Sequence, residues 1–188
     1  MRQVAIGEEV VLGAPHRSSQ SLLDPRRAVT QIPFSTLFPM EPWEVEARLE
    51  IKDILVRYTH SGDSARLEEF ANVFTPDGVL EVVGSRTMEG RDGIIEGMSG
   101  TPGRVRQAME RPMSRHFVTN TLYEFGSPES AMVSSYFLNL SSVGVDHWGR
   151  YRTKVVKTSE GWRIAHRLVR IDGRVEGSWA PPPPAPRR

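Results

Sequence analysis

The sequence predicts an α+β domain, with helices first and a long, curled, mostly antiparallel sheet after them. Three observations carry this. Ile51, Ile54, Leu55 and Tyr58 recur at helical spacing, and Leu67, Phe70, Ala71 and Phe74 repeat the pattern. Four strand-length segments, about 114–125, 130–143, 148–158 and 162–172, then follow with short turns and no helix between them. Strands this long must twist and curl, so helices closing one side leave a cone with an internal cavity.

Residues 1–40 hold no sustained period; Pro15, Pro25, Pro33 and Pro39 interrupt short apolar pieces, and the segment reads as an extended arm. Glu41-Pro42-Trp43 opens the first helix, with proline where a first turn tolerates it. Gly62 ends it, and Asp63 or Ser64 starts a second. Thr75-Pro76-Asp77-Gly78 is a turn, and residues 79–83 and 86–88 form a hairpin about Gly84-Ser85. Asp92 can cap a short helix bearing Ile94, Ile95 and Met98. Residues 99–113, with Gly100, Pro102, Gly103 and Pro112, read as a mobile loop over a pocket mouth. The domain spans 41–173, and 174–188 is a proline-rich, solvated tail.

Composition removes several function classes. Cysteine is absent, which excludes disulfides, thiol nucleophiles and thiolate metal sites. The formal net charge is only +1, and both flanks carry more arginines than acids, so the middle is net negative. A nucleic-acid binder needs a concentrated basic face, and none is present. No run of 18 apolar residues exists, and no basic segment followed by a long apolar one opens the chain. The expectation is a soluble, cytoplasmic protein. The histidines at 16, 60, 116, 147 and 166 show no ligand spacing, and no glycine-rich phosphate loop occurs. No metal or cofactor is expected.

The chemistry-bearing stretch is Arg115-His116-Phe117-Val118-Thr119-Asn120. Alternation puts His116 on one strand face with Val118, Asn120 and Leu122. A buried face seldom carries histidine and asparagine unless both are hydrogen-bonded or in use. Histidine is the side chain best placed to move protons near neutral pH. Tyr58 lies on the buried helix stripe. Asn139 shares a face with Val133, Ser135 and Phe137, and Arg170 shares one with Trp162, Ile164, His166 and Leu168. Tyr151 and Thr153 point inward, opposite Trp148, Arg150, Arg152 and Lys154.

The order and spacing of several short pieces carry a resemblance. They are Arg57-Tyr58 with Asp63 five residues on, Phe74-Thr75-Pro76-Asp77-Gly78, Glu89-Gly90-Arg91, the His116 stretch, Gly149-Arg150-Tyr151 and Gly161-Trp162-Arg163-Ile164. Over residues 44–173 the chain resembles the SnoaL-like branch of the nuclear-transport-factor-2-like superfamily of cone-shaped α+β barrels. Relatives include scytalone dehydratase, bile acid 7α-dehydratase, a hexachlorocyclohexane dehydrochlorinase, polyketide cyclases and ketosteroid isomerases. The small subunits of ring-hydroxylating dioxygenases share the fold without the chemistry. The resemblance implies a histidine base paired with an aspartate, falling on His116 and Asp63, and a helping tyrosine on Tyr58. It implies a pocket asparagine near Asn139 and a last-strand arginine near Arg170. The second strand histidine of scytalone dehydratase finds no match.

The expected function is a cofactor-free lyase or isomerase acting on a small, largely apolar oxygenated molecule. Asn139, Arg170, Asn120 and Tyr151 would bind this substrate. Dehydration is preferred; polyketide-type cyclisation begins with the same proton abstraction. A non-catalytic binding or assembly module of the same fold is the rival. Self-association as a dimer is expected, because the outer sheet face with Trp148 and Tyr123 needs cover; trimers occur among relatives.

Overall fold

A computed structural model describes residues 40–101, 113–142 and 144–184. The expected arm lies outside these residues except for Met40, and so do residues 102–112 of the loop expected over 99–113; Ser99 belongs to a helix instead.

Helix α1 spans Pro42–Asp63, with the proline at its start. Its buried stripe is Ala47, Ile51, Ile54, Tyr58 and Ser61, continuing the predicted spacing by one further turn. The helix runs one residue beyond Gly62, so Asp63 closes α1 rather than opening the next helix. The backbone N–H of Ser64 returns to His60 O, and Ala65 takes a left-handed φ of 55°. Helix α2 then runs Leu67–Asn72, with Arg66 rather than Asp63 or Ser64 at its N-cap position. Asp63 is thereby released from any capping duty.

Strand β1 (Phe74–Val82) and β2 (Arg86–Glu89) form the expected hairpin, followed by α3 (Gly90–Ser99). Gly90 adopts φ 69°, which a side chain resists, and so lets β2 turn directly into α3. Arg91 donates two hydrogen bonds to Phe74 O, at 3.0 and 2.8 Å, tying α3 to the start of β1. Asp92 makes no cap bond but sits in the first turn, where its charge complements the helix dipole. Four long strands complete the chain: β3 (Ser114–Ser127), β4 (Ser130–Ser141), β5 (Gly144–Thr158) and β6 (Gly161–Arg174).

The sheet order is β2-β1-β6-β5-β4-β3. All neighbours are antiparallel except β1 and β6, which the early and late halves of the chain bring together in parallel. Ile51, Phe74, Leu80, Ile94, Val155 and Ile164 are fully buried in the core between helices and sheet.

Bulges decide which side chains face that core. A bulge inserts a residue and so reverses the alternation beyond it. The predicted turn at 75–78 is the first such irregularity, inside β1: Phe74 pairs with Ile164 and Val79 with His166. In β3 the register shifts between Thr119 and Leu122, and Asn120 takes φ 52°. In β5, Asn139 pairs with His147 but Leu140 pairs with Val145, leaving Asp146 as the extra residue. In β6, Lys154 pairs with His166 and Val155 with Ile164, leaving Ala165 extra.

The predicted solvated tail is corrected in its first part. Beyond β6 the chain doubles back. Val175 N–H donates to Asp146 O at 2.9 Å, Gly177 takes φ 77°, and Arg174 Nη1 donates to Ala180 O at 2.6 Å. Ala180 is buried. Trp179 and Ala180 give this segment apolar surface to bury, which the proline count alone conceals.

Candidate active site

Between the helices and the inner sheet face lies a cavity of about 570 Å³. The end of α1 and the start of β3 meet at its wall. Asp63 Oδ1 lies 2.6 Å from His116 Nδ1, and Asp63 Oδ2 accepts the His116 backbone N–H at 3.0 Å. Both oxygens of one carboxylate therefore hold one residue, fixing ring position and tautomer together. The Asp63 side chain is 7% exposed and that of His116 is 21% exposed. The carboxylate is shielded, whereas the imidazole reaches the cavity. With Nδ1–H donated to Asp63, Nε2 is the nitrogen left to take a proton.

Asn139 is fully buried behind this pair. Its Nδ2 donates to Ser114 Oγ at 2.8 Å and lies 3.4 Å from both ring nitrogens of His116; its Oδ1 has no partner among the described residues. Tyr58 and Tyr151 both line the cavity, and Tyr151 stacks on Phe137 at 4.3 Å between ring centroids. Burial raises the pKa of both phenols, so each keeps its proton and remains a hydrogen-bond donor.

Behind the tyrosines sits Arg167, 1% exposed. Its guanidinium carbon lies 4.1 Å from the Tyr58 ring centroid and 3.9 Å from that of Tyr151, and Nη1 donates to Thr153 Oγ1 at 2.9 Å. No acid among the described residues forms an ion pair with it. Two π faces take the role that a carboxylate usually fills for a buried arginine. This cation opposes the rise of both phenol pKa values.

Two predicted site residues face elsewhere. Arg170 pairs with Asp172 at 3.5 Å and borders a depression on the outer sheet face, because the extra Ala165 reverses the strand beyond it. His166, Leu168 and Arg170 turn outward, while Arg167, Val169 and Ile171 turn in. Asn120 lies exposed beside the same outer depression, re-aimed by its own bulge.

Arg167 was not among the predicted site residues, and neither was His147. His147 lines the cavity, its ring centroid 5.9 Å from that of His116. Asp146 Oδ1 lies 2.8 Å from His147 Nδ1. The bulge at Asp146 places two successive residues on the buried side. Burial lowers the His147 pKa to about 4, against the pull of Asp146 and with help from nearby His116. His147 is thus neutral near pH 7, with Nδ1–H on Asp146 and Nε2 an acceptor. The adjacent Asp-His pair in the sequence was the available signal. Among the described residues no cluster of histidine and carboxylate side chains is arranged to hold a metal.

A family model for a SnoaL-like domain matches residues 43–168. The chain belongs to the SnoaL-like family. Among solved structures, a provisionally named scytalone dehydratase from Novosphingobium aromaticivorans superposes with a TM-score of 0.64 at 21% identity, covering 73% of this chain and 91% of that one. A nuclear-transport-factor-2-like protein with a cystatin-like fold from the same organism gives 0.61 at 24%, covering 71% and 88%. A Mycobacterium tuberculosis protein of unknown function gives 0.56 at 26%, covering 68% and 77%. These likenesses establish the fold. No curated protein matches the chain. No helix among the described residues is long and apolar enough to cross a membrane.

Proposed function

We propose that the protein is a proton-transfer lyase, a dehydratase of small, largely apolar β-hydroxy carbonyl compounds, working without a cofactor. The observation that carries the reading is the two-point grip of Asp63 on His116. His116 Nε2 takes the proton from the carbon next to the carbonyl, and Asp63 stabilises the imidazolium. The carbonyl oxygen gains charge and is met by the Tyr58 and Tyr151 hydroxyls, with the buried Arg167 charge behind them. His147 Nε2 accepts a hydrogen bond from the departing β-hydroxyl. As the carbon–oxygen bond breaks, the imidazolium returns its proton to the leaving oxygen. One water is released and both histidines return to their starting state.

Cyclisation shares the first step but retains the water, so product mass separates the two. Incubation with a panel of ring-bearing β-hydroxy ketones, followed by mass spectrometry, is the test. Loss of one water that requires His116 supports dehydration. Water retention with a new carbon–carbon bond moves the assignment to a cyclase. Tight binding without conversion of any panel member moves it to a binding module. The reading includes a dimer: Phe117, Leu122, Tyr136, Leu138 and Trp148 leave an apolar outer sheet surface exposed. Sedimentation as a monomer at micromolar concentration would remove that part.

A further inference from the structure

The segment after β6 touches the site at three points. Ser178 Oγ donates to Asp146 Oδ1, the same oxygen that accepts from His147 Nδ1. Trp179 meets the His147 ring edge-on, with centroids 4.9 Å apart and an interplanar angle of 88°. Trp179, Ala180 and Pro181 line the cavity. The segment is braced from within: Ala180 N–H donates to Ser178 Oγ at 3.1 Å, and Arg174 holds Ala180 O. Farther on, Pro184 lies against Gly84 of the β1–β2 turn. The buried indole Nε1–H of Trp179 has no partner among the described residues.

We propose that the strap of residues 175–181 is a working part of the site: Ser178 is a positioning residue for His147 through Asp146, and Trp179 is the specificity-determining wall that seats a planar, hydroxyl-bearing ring beside His147. The Ser178 bond fixes the Asp146 carboxylate, which in turn holds His147 as its Nδ1–H tautomer. Trp179 keeps water from the imidazole and offers an aromatic surface to the cavity. The proposal deepens the dehydratase reading and rests on it for the role of His147. The wall and the latch are measurable without turnover.

The strap sets how His147 titrates. The charged or titratable groups facing that imidazole are Asp146 beside it, His116 in edge contact with it and backed by Asp63, and Arg174 at the paired position of β6. The full chain is titrated by NMR of its histidine Cε1–H signals, with His147→Gln assigning the resonance. Its Ser178→Ala, Ser178→Thr, Trp179→Ala and Trp179→Phe forms are compared, and 2-naphthol binding is followed by calorimetry. Trp179→Ala should raise the His147 pKa toward the free-imidazole value of about 6.5 and weaken 2-naphthol about tenfold. Trp179→Phe should recover most of the ring contact. Ser178→Ala should raise the His147 pKa, and Ser178→Thr should restore it. Unchanged His147 titration and unchanged 2-naphthol affinity across the folded variants would overturn the proposal. Loss of turnover in His116→Ala is scored separately, so failure of the dyad chemistry and failure of the strap are distinguishable.

Discussion

Two histidine–aspartate pairs meet edge to face on the wall of one cavity, and they are built in opposite ways. His116 and Asp63 lie 53 residues apart in sequence and are joined by two hydrogen bonds between a helix end and a strand. Asp146 and His147 are neighbours, forced to the same side by a bulge. The first pair has a shielded acid and an accessible base. The second is sealed, with the histidine only 3% exposed and held neutral. On the proposed reading the same two residue types give a proton acceptor in one setting and a fixed hydrogen-bond acceptor in the other, and burial is what keeps His147 neutral.

The comparison can be broken most sharply at His116. His116→Ala should lower turnover by about 10²–10⁴-fold or more, while the cavity it leaves costs on the order of 1–3 kcal/mol of stability. Steady-state kinetics beside thermal melts separates the two. Asp63→Asn keeps the side-chain volume but loses the charge that stabilises the imidazolium. Turnover should fall by about 10²–10⁴-fold. A drop in melting temperature without a drop in rate would make Asp63 structural and erase the contrast between the pairs.

The sealed pair makes its own prediction through stability. His147 has a folded pKa of about 4, below its ordinary value. Its neutral burial therefore contributes full stability above pH about 6.5. That contribution declines as pH falls, because the unfolded chain binds the proton first, and it levels off below about pH 4. The loss should be about 2–4 kcal/mol. Urea unfolding at several pH values should show this slope, and His147→Gln should flatten it. The smallest effect is expected at Arg170, on the outer face. Arg170→Ala should change stability by no more than about 0.5 kcal/mol and leave turnover within about twofold. A large rate loss there would place the outer depression in the site after all.

Much of this architecture was legible in the sequence. The stripe from Ile51 to Tyr58 obeys helical spacing because one face of α1 must be buried. The inward set Val133, Ser135, Phe137 and Asn139 on β4 obeys alternation because no bulge interrupts that strand. The meeting of Asp63 with His116 has no local signature and came from resemblance to a family. The parallel pairing of β1 with β6 is equally nonlocal. Failures of the facing assignment fall where alternation breaks. Asn120 and Arg170 were read inward across bulges that turn them out, and Arg167 was passed over because a bulge turns it in. His147 keeps step with Tyr151 and Thr153 and was missed because the expected strand began at 148. The first part of the tail was misread because its prolines outweighed Trp179 in a reading by composition.

Ala165 acts on β6 as an inserted letter acts on a reading frame. On its N-terminal side one half of the side chains faces the cavity; on its C-terminal side the other half does. Two related chains with the same residues along this strand, one lacking the insertion, would present Arg167 to opposite worlds, in one case against two tyrosines and in the other to the solvent. Letter-by-letter matching of relatives across this point therefore pairs residues of different duty. An arginine assigned from such a match must be counted from the bulge, not from the end of the strand.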